Sequence, residues 1–338
     1  MNLEILIPGV LDCWCDNIRL EVNNETGFAK NVEGVETRVP FWGSTEGFEV
    51  LDPTLGSSTA AFLYMVQDLL KLGYKKNETL SGAPYDFRYS PDSNTQFEKD
   101  LKSLIEETVQ KNAKKAVLIS HSMGGLQTLY FLSRQSPEWK AAHVAHWIPI
   151  SAPWGGTAKE FRLFATGDSQ GLPVNANTIR GEQRSYETNA WMLPIPEAWG
   201  ETVLVKTSTR NYTAAKDDYH AFFDDIGYPV GKIVYDRVSA ILPNPAKAPG
   251  VPVSCFYSSG VSTPLEFTYT GSFDKTPDTS NGDGDGTVNI QSLRLCKSWA
   301  SEPESPVTVK TYEGIDHTGM ITNQTVIHDV LAVIQALA

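Results

Sequence analysis

The apolar residues of this chain follow two alternating rhythms. Short segments rich in apolar and β-branched residues, the mark of strands, occur at residues 3–7, 145–150, 203–206, 253–257 and 307–312, and 3–7 and 145–150 read as buried. Between some of them lie stretches with apolar residues three and four apart. In 57–72 these are Ala61, Tyr64, Met65, Leu69 and Leu72; in 95–111 they are Leu101, Leu104, Ile105 and Val109. In 323–337 they are Val326, Ile327, Val330, Leu331 and Ile334. Each set falls on one face of a helix. A short helix is expected at 289–299. Segments 17–22 and 35–39 read as a hairpin joined by a polar loop with Gly27 and Gly34, and Pro40-Phe41-Trp42-Gly43 reads as an aromatic turn. From residue 157 to about 199 the rhythm breaks down into mixed Pro, Gly and aromatic residues, which reads as an insertion or cap. Strands alternating with helices imply a mostly parallel sheet with right-handed crossovers.

The stretch Lys115-Ala116-Val117-Leu118-Ile119-Ser120-His121-Ser122-Met123-Gly124-Gly125 carries the strongest local signal. An apolar strand runs into a small-x-Ser-x-Gly pentad, and a helical run follows. This is the pattern of a nucleophile elbow, in which a strand delivers a serine onto a sharp turn and a helix starts behind it. The turn is crowded, so its flanking residues must be small. Ser120 departs mildly from the usual Gly. Ser122 would sit at a helix N-terminus, where N–H groups and the helix dipole favour an alkoxide or oxyanion. The plainer reading is a serine in an ordinary strand-to-helix turn.

Composition narrows the picture. The 338 residues carry a net charge of -12, which argues against nucleic acid as a partner and against simple electrostatic attachment to anionic lipid. No apolar run reaches the roughly 18 residues that span a bilayer. Residues 1–9 are too short to hold a secretory signal. The cysteines are Cys13, Cys15, Cys255 and Cys296, and none forms a CxxC pattern. Cys13 and Cys15 point to opposite faces if they lie on a strand, whereas Cys255 and Cys296 can pair. Sequons at Asn24, Asn77, Asn211 and Asn323 lean towards the secretory route.

A serine nucleophile needs a base and an acid that orients the base, in the order Ser, Asp or Glu, His in this architecture. Of six histidines, His121 lies inside the elbow and is expected to be structural. His143 and His146 lie at a strand, His220 in an Asp-rich segment and His328 on the last helix. His317 falls in the loop between the last strand and the last helix, where the base belongs. The acid is expected in Gly282-Asp283-Gly284-Asp285-Gly286-Thr287-Val288, and of its two acids Asp285, in Asp-Gly-Thr-Val, is the better candidate. A calcium loop counted from Asp283 fails at its twelfth position, Arg294. The oxyanion hole needs two backbone donors, assigned to Met123 and to Val10 after the first strand. No metal or cofactor is called for.

Several blocks resemble the lecithin:cholesterol acyltransferase family, especially its lysosomal phospholipase A branch. They are Gly82-Ala83-Pro84-Tyr85-Asp86-Phe87-Arg88, His121-Ser122-Met123-Gly124, Ala152-Pro153-Trp154-Gly155-Gly156, Asn211-Tyr212-Thr213 and residues 282–289. The resemblance implies an α/β-hydrolase fold over 1–338, with a cap over 155–245 and a small membrane-contacting hairpin subdomain, here shortened, over 12–52. It implies cleavage of a fatty acyl chain from a glycerophospholipid through an acyl-serine and its transfer to a lipid alcohol or water. The family's triad falls on Ser122, Asp285 and His317, and its second disulfide on Cys255 and Cys296. It further implies transient contact with a membrane or lipid particle, and a secreted or lysosomal/vacuolar location. The chain departs from the family after Gly9-Val10-Leu11, where a further stretch with a lid and the partner of Cys13 is usual. Val10 stands where the family has Asp or Cys, and Phe41-Trp42 where it has Gly-Phe.

Other residues carry two readings each. Trp154 either lines the acyl pocket or packs in the core. Asp86 and Arg88 are expected to form a buried ion pair that holds the wall of the site, since a carboxylate paired with Arg is poorly suited to proton transfer. Phe41, Trp42 and Trp14 either form an exposed patch for lipid or pack under the hairpin. Rival functions are a general carboxylesterase or neutral-lipid lipase, and a non-catalytic lipid-binding protein on a hydrolase fold.

Overall fold

The computed structural model describes residues 3–7, 19–35, 37, 39, 41–50, 54–169, 175–301 and 306–337, and of 3–7 and 301 the backbone alone. The strands are β1 Leu3–Ile7, β2 Leu20–Val22, β3 Ala29–Asn31, β4 Leu80–Gly82, β5 Ala116–His121 and β6 Val144–Ile150. They continue with β7 Val205–Thr207, β8 Asn211–Tyr212, β9 Val253–Ser259, β10 Thr263–Tyr269, β11 Asp278–Gly282 and β12 Val307–Glu313. The helices are α1 Leu63–Lys71, α2 Thr95–Asn112, α3 Met123–Ser133, α4 Pro137–His143, α5 Lys159–Ala165, α6 Ala176–Gln183 and α7 Glu187–Trp191. Then come α8 Pro196–Trp199, α9 Lys216–Asp225, α10 Val230–Ser239, α11 Ile290–Leu293, α12 Gly319–Thr322 and α13 Gln324–Ala336.

One sheet organises the molecule, in the order β12-β9-β6-β5-β1-β4. Every pairing in it is parallel. With helices on both faces, this is the α/β-hydrolase arrangement expected from the sequence. The alternation of β5 shows how one strand serves two cores. Ala116 and Leu118 join the cluster on one face with Leu101 and Ile105 of α2 and Leu126 and Leu129 of α3. Val117 and Ile119 join the other cluster, with Met65 and Leu69 of α1 and Val326 and Val330 of α13. A central parallel strand must be apolar on both sides, and each such side chain contributes about 2 kcal/mol by leaving water.

Local signals set the helix ends where they are strongest. The Asn323 side chain accepts from the Thr325 amide at 2.8 Å and caps α13. The expected helix over 57–72 is shorter, because residues Gly56–Thr59 form a 3-10 turn and α1 begins at Leu63. The helix expected at 289–299 splits into α11 and a 3-10 segment, Arg294–Ser301.

Two expectations need correction. The hairpin pairs β2 with Ala29–Asn31, and of the expected partner strand 35–39 the described residues Val35, Thr37 and Val39 lie in no strand. Its tip is tightened by the Asn23 side chain, which accepts from the Glu25 and Thr26 amides at 2.9 Å each, and by Gly27 at φ +70°. Gly27 also backs onto the α10 main chain, where an added Cβ would stand 3.0 Å from Val234 N. The turn therefore comes early, and the alternating apolar residues after Gly34 lie beyond the strand. A second sheet, β11-β10-β7-β8, was not expected beyond its β7 member. The segment between β6 and β9 is largely helical, α5 to α10. Among the described residues, no helix is long and apolar enough to cross a membrane.

Candidate active site

The loops that follow β5, β11 and β12 converge. Ser122 follows β5 with φ +54°, a conformation that bulkier or β-branched residues avoid, and α3 starts immediately after it. Small neighbours are required here: a Cβ on Gly125 would lie 2.4 Å from the Cβ of Ala152. The unusual Ser120 is accounted for by its neighbour strand. Its hydroxyl accepts from the indole N–H of Trp147 on β6 at 2.9 Å, inside the core.

Asp285 is wholly shielded from solvent. Its Oδ1 accepts from the amides of Val288 at 2.7 Å and Thr287 at 3.1 Å, which fix the carboxylate. Its Oδ2 lies 2.7 Å from His317 Nδ1. Burial pushes the carboxyl up, but the positive charge and hydrogen bond of His317, with the two amides, outweigh it and hold Asp285 below the ordinary aspartate range. An ionised carboxylate only accepts, so Nδ1 of His317 donates and Nε2 is left to accept. That nitrogen lies 2.9 Å from Ser122 Oγ, in line to take its proton. The three residues chosen from the sequence are thus brought together by hydrogen bonds. The arrangement can activate a hydroxyl nucleophile and stabilise an imidazolium.

The other expected residues are placed as follows. Met123 is the first residue of α3, where backbone N–H groups lack an intrahelical acceptor. Val10, Trp14, Cys13 and Cys15 lie outside the described residues. Cys255 and Cys296 are joined in a disulfide. Trp154 is buried in an aromatic cluster, 5.7 Å from the Trp147 ring and 4.8 Å from the Trp299 ring. Asp86 and Arg88 form a two-bond ion pair, Nε to Oδ1 at 2.9 Å and Nη2 to Oδ2 at 2.6 Å. Nη2 of Arg88 also donates to Asn31 at 2.9 Å and Thr37 at 2.8 Å, tying this loop to the hairpin strand β3 and to Thr37 beyond it. Phe41 and Trp42 lie on the surface, 54% and 38% exposed, and Trp42 rests edge-on against Phe97. Phe41 has φ +59°, the region in which the family's Gly is unstrained.

Sequence reasoning missed two features around the site. One is His121, whose Nε2 lies 3.0 Å from the carbonyl oxygen of His317. The other is a buried charge cluster. Glu187 takes the Ala29 amide at 2.8 Å, the Ser90 amide at 3.0 Å and the Arg237 guanidinium at 2.7 Å. Arg237 also pairs with Asp92 and stands 4.1 Å over the Phe28 ring. Nothing in local patterning announces such long-range pairs. A groove of about 300 Å3 flanks the His317 loop, lined by Ser57, Tyr64, Asp316 and Thr318. The larger hollow, about 570 Å3, lies between the hairpin and α10 and contains no member of the Ser122 site. Among the described residues, no group of three or more His, Cys, Asp or Glu is placed to hold a metal ion.

Comparison with known proteins bears on this geometry. A model of the lecithin:cholesterol acyltransferase family matches residues 1–235 and 235–324. The lysosomal phospholipase A and acyltransferase of Canis lupus familiaris is 41% identical over 331 residues, covering 96% of this chain and 79% of that protein. The Homo sapiens protein of the same name is 40% identical over 327 residues, with coverage of 96% and 79%. The phosphatidylcholine-sterol acyltransferase of Gallus gallus is 38% identical over 326 residues, covering 95% and 78%. A solved chain of the Tle4-Tli4 complex shares the fold with a TM-score of 0.51 at 14% identity, over 76% of this chain and 68% of that one. On the family match and the shared identity along nearly its whole length, the chain belongs to the lecithin:cholesterol acyltransferase family.

Proposed function

We propose that this enzyme is a phospholipase A and lipid O-acyltransferase working through an acyl-serine. His317 takes the Ser122 proton as the hydroxyl attacks a glycerophospholipid ester. Asp285 orients the imidazole and supports its positive charge. The amide of Met123, with that of Val10, stabilises the tetrahedral oxyanion. The protonated base then delivers its proton to the leaving lysophospholipid. A lipid alcohol or water, deprotonated by the same imidazole, releases the acyl group. The observation that carries this reading is the His317 contact to Ser122 at 2.9 Å and to Asp285 at 2.7 Å. The relatives' names supply the substrate class.

Phe41 and Trp42 are proposed to meet the lipid surface, supported by their exposure beside the Phe97 wall. Trp154 is proposed to act from behind the acyl pocket as packing, in keeping with its burial. A lysosomal destination on the secretory route is supported by the relatives' names. The test of the reaction is Ser122→Ala on phosphatidylcholine liposomes, with and without an added lipid alcohol. Loss of about three or more decades of rate is expected. Unchanged turnover would reject the mechanism, and turnover of soluble esters alone would favour a general carboxylesterase.

A further inference from the structure

His121 is buried between the site and α1, with the Phe62 ring edge-on at 6.4 Å on one side and the His317 ring at 4.8 Å on the other. Its Nε2 lies 3.0 Å from the carbonyl oxygen of His317. A carbonyl can only accept, so this nitrogen carries the proton and donates. The opposite face of the same residue is held too: the amide of His317 donates to the carbonyl of Asp285 at 2.8 Å. Both backbone polar groups of the base are therefore fixed. One is held by the acid's own residue, the other by the residue next to the nucleophile. An imidazole whose backbone is pinned at both ends has little freedom to drift from Ser122.

The residue type is constrained from two directions. An apolar side chain of the same shape would leave the His317 carbonyl without this donor. A lysine or arginine would supply a donor but would place a fixed positive charge against the imidazolium that forms during catalysis. A neutral imidazole satisfies both demands. Burial first, and then the charge of His317, push the His121 ring down to about 3, so it stays neutral across the working range.

We propose that His121 is a positioning residue for acyl transfer: its Nε2–H holds the carbonyl of His317 and so sets the His317 ring against Ser122 Oγ. This rests on the Ser122–His317–Asp285 reading above. A displacement of about 1 Å at a reacting pair costs on the order of 100-fold in rate, so a lost tether should appear in kcat rather than in substrate affinity.

The test compares His121→Phe, which keeps the ring and loses the donor, with His121→Gln, which keeps a donor of similar reach. Turnover of p-nitrophenyl butyrate and of phosphatidylcholine liposomes is divided by the fraction of Ser122 labelled at endpoint by a fluorophosphonate. For His121→Phe the expected result is a kcat per labelled site lower by about 30-fold or more, with KM within about twofold. For His121→Gln kcat should return to within about fivefold of the parent. Phe follows the ring shape better than Gln does, so a role in packing alone predicts the reverse order. Equal impairment of both variants, parental kcat per labelled site in both, or a loss explained entirely by fewer labelled sites would overturn the proposal. Should His121→Phe not accumulate as folded protein, His121→Asn, whose amide is too short, takes its place against Gln. Ser122→Ala run in parallel separates the two claims. If it is inactive, failure of the His121 pattern removes this inference alone; if it is active, the catalytic reading itself falls.

Discussion

Glu187 meets the guanidinium of Arg237 at 2.7 Å while wholly shielded from solvent. The pair joins α7 to α10, and through Glu187 it also holds the hairpin amide of Ala29 and the wall residue Ser90. Three separate stretches of chain are thus fixed by one carboxylate.

Removing that carboxylate leaves the Ala29 and Ser90 amides without this acceptor and takes from Arg237 one of its two carboxylate partners, the other being Asp92. Glu187→Ala is expected to cost about 3–5 kcal/mol, the range for breaking a buried pair from one side. Arg237→Met should cost less, because Glu187 keeps its bonds to Ala29 and Ser90. Urea unfolding midpoints at constant slope measure both. A loss below about 1 kcal/mol for Glu187→Ala would show that the hairpin is not held this way.

Glu160 gives a pH signature of opposite sign to a paired carboxylate such as Asp285. It is 5% exposed, its Oε2 has no hydrogen-bond partner, and burial pushes its carboxyl up to about 8. The folded protein keeps this proton while the unfolded chain loses it near the ordinary value of 4.5. Its contribution is therefore fully present below 4.5 and is lost as pH rises towards 8. Glu160→Gln removes the ionisation. The variant's stability relative to the parent should climb between pH 4.5 and 8 by a few kcal/mol and then level, since each pKa unit is worth about 1.4 kcal/mol. His121 runs the other way. Its folded form refuses a proton that the unfolded chain takes near 6.5, so stability is lost from there towards pH 3. A stability difference between Glu160→Gln and the parent that stays flat with pH would contradict the Glu160 account.

Phe41 sets stability against surface contact. It holds φ +59° in a turn and is 54% exposed, so it is strained without being packed. Phe41→Gly should raise stability by about 1 kcal/mol by relieving that conformation. On the proposed lipid-surface reading, the same change should lower the ratio of vesicle turnover to soluble-ester turnover several-fold. Thermal unfolding and the two assays measure the two arms. An unchanged ratio would remove Phe41 from the lipid contact.

Much of the site could be read from the chain because its constraints are local. Ala116 to Ile119 must be apolar on both faces to occupy the sheet centre, and Ser122 needs small neighbours, so the elbow leaves a mark within ten residues. His317 is recognisable by its place between the last strand and last helix. The rest depends on distant partners. β11, Asp-Thr-Ser-Asn-Gly, is polar and exposed and makes a strand only because β10 is beside it. The hairpin register is set by the tip turn at Asn23 and by Ala29 bonding Glu187, 158 residues away, and not by the apolar alternation of 35–39. His121 looks like a core residue from its position in a buried strand. Only the fold shows that its outer nitrogen reaches the base.

The most direct test of the catalytic proposal is to trap the acyl-enzyme. Enzyme mixed with phosphatidylcholine is quenched in acid within the first turnovers, digested and mapped by peptide mass spectrometry. The peptide bearing Ser122 should gain the mass of the released fatty acid less water, and His317→Ala should show no such adduct. An acyl group on another residue, or full turnover by Ser122→Ala without any adduct, would contradict it.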